Sequence, residues 1–167
     1  TISVLAETKE ALGEESGAWM LFEHVSGLSR AEYALKANEK MDENAADRLK
    51  TLVERRKAGE PVQYITGKAP FYGREFDVNK DVLIPRFDTE NLVARALEEI
   101  NDGDEVLEIG AGSGCVIITL ALEKNIKATA CDISEGALNT AINNAKELEA
   151  KCEFVRSDLF ENVSGSF

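Results

Sequence analysis

Two carboxylates flanking a glycine-rich turn are the part of this 167-residue sequence best equipped for chemistry: Glu108, then Gly110, Gly112 and Gly114, then Asp132. Val106, Leu107 and Ile109 form a short apolar run that breaks into the glycines, and a helix-like apolar repeat follows at once, which predicts strand, tight turn and helix. Glycines in this pattern take positive φ and let a ligand reach the main chain without interference from Cβ, while the following helix offers unpaired N–H groups. The loop Gly110-Ala111-Gly112-Ser113-Gly114 is therefore expected to be a cradle. Asp132 closes the next apolar run, residues 126–133, and an acid at the end of a second strand is placed to accept both hydroxyl hydrogens of a ribose. The expected ligand contains an adenosine.

NAD and S-adenosylmethionine both use such an arrangement, and the local residues favour the second. A dinucleotide fingerprint wants Gly-x-Gly-x-x-Gly, so that a pyrophosphate rests on the helix N-terminus. Here Cys115 holds the sixth position, and Glu108 beside the loop would repel a pyrophosphate but suits the ammonium and sulfonium of S-adenosylmethionine. A glycine turn without a ligand and an NAD-dependent enzyme remain the alternatives.

The elements that must position these residues can be read along the chain. From Ser134, a predicted N-cap, the residues Ala137, Leu138, Ala141, Ile142, Ala145 and Leu148 draw an amphipathic helix, and residues 152–155 a third strand. Strand, helix, strand, helix, strand with right-handed crossovers predicts a parallel sheet of order 3-2-1. Asp158 and Leu159 then fall in a loop at the carboxyl end of the third strand, where ligands of such sheets bind; Asp158 is placed to accept from an adenine amino group and Leu159 to pack on the ring. Ahead of the sheet, Leu92, Val93, Ala96, Leu97 and Ile100 supply the apolar face of a helix starting near Asp88. Residues 61–87 contain two alternating runs around Gly67 to Pro70, which predicts a hairpin.

The first 60 residues predict a small helical domain. Ile2, Leu5 and Leu12 have helical spacing; Ser16 precedes Trp19, Met20, Phe22 and Val25, with Gly27 as a stop. Ser29-Arg-Ala-Glu32 is a capping box with Leu28 and Tyr33 as its staple, opening a helix to about Asn38. A fourth helix runs from about Asn44 to near Gly59 and Pro61. Trp19, Phe22 and Tyr33 are expected in the core rather than as a base-stacking platform. Arg55, Arg56 and Lys57 are expected at a solvated helix end, with contact to a phosphate-rich partner as the alternative. His24, the lone histidine, is read as packing or solvent-facing.

Composition narrows the classes. The net charge is −12, divided as −4 over residues 1–90 and −8 over residues 91–167. That argues against direct binding of nucleic acid or anionic membrane, where a basic face is expected. Cys115, Cys131 and Cys152 are odd in number and widely spaced, and read as small buried hydrophobes in a reducing compartment, not disulfide or metal partners. No apolar run has transmembrane length and no secretory segment is present, so the cytoplasm is the expected location.

Together, Gln63-Tyr-Ile-x-Gly67, Phe71-x-Gly73-x-Glu-Phe76, Val82-Leu-Ile-Pro-Arg86-x-x-Thr-Glu90 and Glu108-Ile-Gly-Ala-Gly-Ser-Gly-Cys strongly resemble the HemK/PrmC family of peptide chain release factor N5-glutamine methyltransferases. The resemblance covers the whole chain. It implies an α/β fold: a helical substrate-recognition domain (1–60), a β-hairpin linker (61–87) and the first half of a class I, Rossmann-like methyltransferase domain (88–167). It also implies S-adenosyl-L-methionine as cofactor and release factors as protein partners, with Glu108 toward the amino-acid end of the cofactor. Two departures are mild, Phe87-Asp where the family commonly has Pro-Glu and Glu108-Ile where it has Asp-Leu. The third is an absence: the catalytic Asn-Pro-Pro-Tyr motif of the family follows a fourth strand and is not among these residues, whose only prolines are Pro61, Pro70 and Pro85. No catalytic residue can be named.

The sequence is accordingly read as an amino-terminal portion, inactive alone, with a noncatalytic S-adenosylmethionine-binding or protein-docking module as the alternative. In class I methyltransferases the first strand lies between the second and a fourth, so the strand 105–109 is expected to be left with an unpaired edge. Val106, Leu107 and Ile109 give it no Pro, Lys or bulge protection, and self-association or loose order of residues 88–167 is expected.

Overall fold

A computed structural model describes residues 2–36, 39–165 and 167, and divides them between Thr66 and Gly67 into two compact units. The side chain of Ile2 and the expected end of the third helix at Asn38 lie outside the described residues.

The first unit is helical: α1 (Ile2–Leu12), α2 (Glu15–Ser26), α3 (Arg30–Lys36), α4 (Glu43–Lys57) and α5 (Val62–Thr66). Leu5, Leu21, Phe22, Leu49, Val53, Val62 and Ile65 bury together. Trp19, Phe22 and Tyr33 meet edge to face at centroid distances of 5.0 to 5.7 Å, so the aromatic trio is core. The capping box forms: Ser29 N–H donates to Glu32 Oε2 at 2.9 Å and Glu32 N–H to Ser29 Oγ at 3.3 Å. Gly27 ends α2 at φ 66°, and Glu14 stands at its N-cap. The Glu14 carboxylate does not cap; it takes Arg56 at 2.7 Å, and the Arg56 guanidinium holds it below its ordinary pKa. Arg55 pairs with Glu60 and Lys57 with Glu54, which accounts for the basic triplet as an ion-paired helix end. His24 is exposed.

The second unit opens with a hairpin, β1 (Lys68–Phe71) and β2 (Arg74–Asp77), paired Lys68 to Asp77 and Phe71 to Arg74. This corrects the expected turn at Gly67 to Pro70. The chain reverses at Tyr72 and Gly73, both at positive φ (48° and 73°), as a two-residue hairpin turn requires. Tyr72 holds that unfavourable conformation because its N–H donates to Glu90 Oε1 at 2.7 Å. Gly67 marks the end of α5 instead.

Then follow α6 (Phe87–Glu99), β3 (Glu105–Ile109), α7 (Cys115–Glu123), β4 (Lys127–Asp132), α8 (Glu135–Glu147) and β5 (Cys152–Arg156). The sheet is parallel in the order β3-β4-β5, with Glu105 opposite Lys127 and Ala128 opposite Cys152, as the alternation of strands and helices predicts. The expected α/β class is therefore present: helical unit, antiparallel hairpin and parallel sheet. α7 and α8 touch one another and the sheet. Val106, Ala128, Ala130, Cys152 and Phe154 pack with Ile117, Ile118 and Leu120 of α7 into one core. Leu107, Thr129 and Val155 alternate to the other face and stay partly exposed.

Two apolar stripes are displaced from their expected positions. Ile142 is 46% exposed and Leu92 59% exposed, although both were expected on core faces. In α8 the buried stripe runs through Ala137, Thr140, Ala141, Asn144 and Ala145, so two polar residues occupy ground expected to be apolar.

Candidate functional site: the glycine loop at the carboxyl ends of the strands

β3 delivers Glu108 and the glycine loop to the carboxyl edge of the sheet, and β4 delivers Asp132 beside them. The ladder continues past the end of β3: Gly110 and Ala111 N–H both donate to Cys131 O, at 2.8 and 3.0 Å. Asp132 Oδ2 accepts the Gly112 N–H at 2.9 Å and Oδ1 accepts the Ser134 N–H at 2.9 Å. Asp132 thus braces the loop from the neighbouring strand. Each carboxylate oxygen carries two lone pairs, so acceptor capacity remains for hydroxyl groups.

The three glycines are not equivalent. At Gly110 (φ 82°) and Gly112 (φ 53°) a Cβ would meet nothing within 4 Å, so the main chain there faces open space. At Gly114 (φ 77°) a Cβ would lie 2.8 Å from Ile118 Cδ1 and 3.0 Å from Ala141 Cβ. Gly114 is demanded by helix packing, whereas Gly110 and Gly112 leave an approach to backbone. Ala111 and Ser113 between them are buried at 3% and 2% exposure.

Glu108 also has a structural task within the fold. Its Oε2 accepts the Ile117 N–H at 2.9 Å, and Ile118 N–H bonds to Gly114 O, so the first turn of α7 is partly satisfied from within. The carboxylate acts as a strand-borne cap where Gly114 offers no side chain. Burial pushes its pKa up to about 7, the Ile117 N–H opposes that rise, and the nearby Asp132 charge adds to it. Burial also raises the Cys115 and Cys152 thiols to about 11, which leaves them protonated and unreactive near neutrality.

After β5 the chain turns in a braced loop. Ser157 N–H donates to Asp132 O at 3.1 Å, Asn162 N–H to the buried Ser157 Oγ at 2.9 Å, and Cys131 Sγ to Leu159 O at 3.4 Å. Asp158 and Leu159 are exposed, and Leu159 stands at φ 49°. Ile109, Ile133, Leu159 and Phe160 are all large, apolar and exposed at the strand ends. The arrangement is a shelf: open backbone on one strand, a carboxylate on the next, and apolar side chains beside both.

Sequence reasoning missed Asn144, Ser157 and Ile133. Asn144 donates from Nδ2 to Ser113 O at 2.9 Å, and the signal that could have found it is its place on the stripe of α8, three residues after Ala141 and four before Leu148. Ile133 directly follows Asp132, an apolar residue exposed at 62% where a strand leaves the sheet.

A parallel sheet with a glycine loop and acids at its carboxyl edge defines a Rossmann-like ligand-binding unit. Residues 65–167 match the model of the methyltransferase small domain, so the chain belongs to that family; residues 3–67 match the PrmC N-terminal domain. Among its relatives, the release factor glutamine methyltransferase of Bacillus subtilis (strain 168) is 44% identical over 159 residues, covering 91% of this chain and 55% of the relative. The protein of the same name from Neisseria gonorrhoeae is 42% identical over 145 residues, covering 86% and 53%. The chain thus spans about half the length of the curated relatives it matches. Among solved structures, the Pyrococcus abyssi tRNA (uracil-54, C5)-methyltransferase, in complex with S-adenosyl-L-homocysteine, aligns at a TM-score of 0.46 and 20% identity, covering 55% of this chain and 23% of that one. The resemblance to the HemK/PrmC family is borne out.

Proposed function

We propose that these residues form the substrate-recognition unit and the cofactor-binding half of an S-adenosyl-L-methionine-dependent methyltransferase acting on the glutamine of the Gly-Gly-Gln motif of peptide chain release factors. The observation that carries this reading is the open backbone at Gly110 and Gly112 braced by Asp132, on a chain 44% identical to a release factor glutamine methyltransferase. The donor set suits the cofactor. Loop backbone from Gly110 through Ala111, Gly112 and Ser113 to Gly114 faces its amino-acid portion, with Glu108 on the cationic side. Asp132 accepts from the ribose hydroxyls, Asp158 from the adenine amino group, and Leu159 packs on the ring.

Bound there, S-adenosylmethionine supplies an electrophilic methyl carbon for displacement by the glutamine amide nitrogen. An amide nitrogen is a poor nucleophile because its lone pair is delocalised, so the reaction depends on positioning and on acceptors for its N–H groups. Glu108 stabilises positive charge at the cofactor, and the helical unit serves substrate recognition, with the hairpin as linker. The Asn-Pro-Pro-Tyr motif that would hold the amide is not among these residues, which supports cofactor binding without turnover as the expected behaviour of the 167-residue chain. The reading places the protein in the bacterial cytoplasm, with release factor as partner and no nucleic acid; among the described residues no helix is long and apolar enough to cross a membrane.

Titration calorimetry of the chain with S-adenosylhomocysteine tests the site. Asp132→Ala is expected to weaken binding, each charge-assisted hydrogen bond to the ribose being worth roughly 1.5 to 3 kcal/mol. Binding of NAD in place of S-adenosylhomocysteine, or an affinity indifferent to Asp132, would overturn the assignment. Turnover on release factor by the chain alone would refute the claim of inactivity.

A further inference from the structure

Asn144 lies in the middle of α8 at 1% exposure, with Ala141 and Ala145 as buried neighbours on its helix. Its Nδ2 donates to Ser113 O in the glycine loop at 2.9 Å and to Asp77 O at the end of the hairpin at 3.0 Å. Its Oδ1 accepts the Asp77 N–H at 2.7 Å. Both donors and the acceptor of the amide are therefore used, and a buried network satisfied in this way fixes the geometry of what it joins. One turn earlier on α8, Thr140 Oγ1 accepts from Asn79 Nδ2 at 2.9 Å, a second tie to the hairpin exit that does not reach the glycine loop.

We infer that Asn144 is a positioning residue for cofactor binding: it locks the Ser113 carbonyl, and with it the presentation of Gly112 and Gly114, and makes the end of the hairpin part of the same hydrogen-bonded unit. This rests on the reading of the loop as the cofactor cradle. Ser113 sits between the open glycine and the packed one, so its carbonyl is where α8 can set the tilt of the whole loop. A ligand that loads the loop is then felt at Asp77, on the far side of the same amide.

The test uses the 167-residue chain with S-adenosylhomocysteine as probe, by calorimetry and by NMR of the amide groups. Asn144→Asp keeps the shape and the acceptor but sets lone pairs against two carbonyls, and its affinity is expected to fall about tenfold or more. Thr140→Val removes the second tie, together with the Thr140 Oγ1 bond to Gly136 O within α8, but no bond to the glycine loop; it is expected to lower the melting temperature while leaving affinity within about twofold of the parent. Should Asn144→Asp fail to fold, the parent decides: saturation with probe shifts the Asn144 side-chain amide and the Asp77 backbone amide together. A folded Asn144→Asp protein that binds as the parent does, an equal loss in Thr140→Val, or an Asn144 amide unmoved at saturation would each overturn the inference. A parent chain that does not bind the probe overturns the cradle reading and this inference together, whereas a binding parent with an unaffected Asn144→Asp removes this inference alone.

Discussion

Glu108 caps the first turn of α7 from a buried position, where its negative charge is costly to the fold. Its folded pKa of about 7, against an ordinary 4.5, comes first from burial, with Asp132 adding repulsion and the Ile117 N–H resisting. A raised carboxyl pKa means that the folded chain binds more protons than the unfolded chain between those values. Stability contributed at this position is therefore greatest below 4.5, falls as pH rises through the window, and is lost above about 7. Glu108→Gln keeps the acceptor for Ile117 without the charge, so its melting temperature should exceed the parent's at pH 8 and match it near pH 4.5. Thermal melts at both pH values decide this, and an identical difference at each would show that Glu108 does not titrate there. Gly114→Ala makes a second residue-scale test. Its Cβ would crowd Ile118 and Ala141 at positive φ, so the loss should be about 2 to 4 kcal/mol. Gly110→Ala meets only the backbone term of about 1 to 2 kcal/mol; equal losses in urea titrations would remove the distinction between packed and open glycines. The acids and glycines were legible because strand, turn and helix follow one another locally. For Asn144 the sequence holds only its place on the α8 stripe, which marks it as buried; its partners lie 31 and 67 residues away, so nothing local shows what the amide joins.

At the scale of elements, the hairpin teaches the same lesson. Gly67 and Pro70 are stronger turn formers than Tyr72, and Tyr72 is held at φ 48° by Glu90, arriving from α6 to accept its N–H, and by Arg74, which donates to its carbonyl. The resemblance drew attention to Thr89 and Glu90 as sequence; the fold gives Glu90 a structural task, a hydrogen bond across 18 residues. The sheet order was legible from alternation alone, since parallel strands with helical connections leave few topologies. β3 is where the element scale yields a prediction. Among the described residues it pairs only with β4, and Leu107 and Ile109 remain partly or well exposed. An apolar strand with an open edge recruits another strand, so the chain is expected to self-associate with rising concentration, and Leu107→Lys to keep it monomeric. Sizing chromatography with light scattering checks this, and a parent that stays monomeric at high micromolar concentration would contradict it.

At the scale of the whole molecule, the division at Thr66 and Gly67 implies two cooperative units, each with its own core. The helical core is closed by the aromatic trio of Trp19, Phe22 and Tyr33, whereas the sheet core joins the edge-to-face pair Phe71 and Phe76 of the hairpin to aliphatic residues of α6, α7, α8 and the strands. Two unfolding transitions are expected in denaturant, and S-adenosylhomocysteine should raise only the one belonging to the sheet, since a ligand stabilises the unit that binds it. Coincident midpoints that shift together would sink the claim. The placement of two residue types makes the experiment direct. The single tryptophan is Trp19, in the helical core, while all three cysteines lie in the sheet unit, two of them buried and the third partly so. Indole emission therefore watches one half of the chain and is blind to the other. A pulse of thiol reagent does the reverse, because Cys115, Cys131 and Cys152 become protein-wide targets only as the sheet opens, and the labelling rate clocks that opening residue by residue.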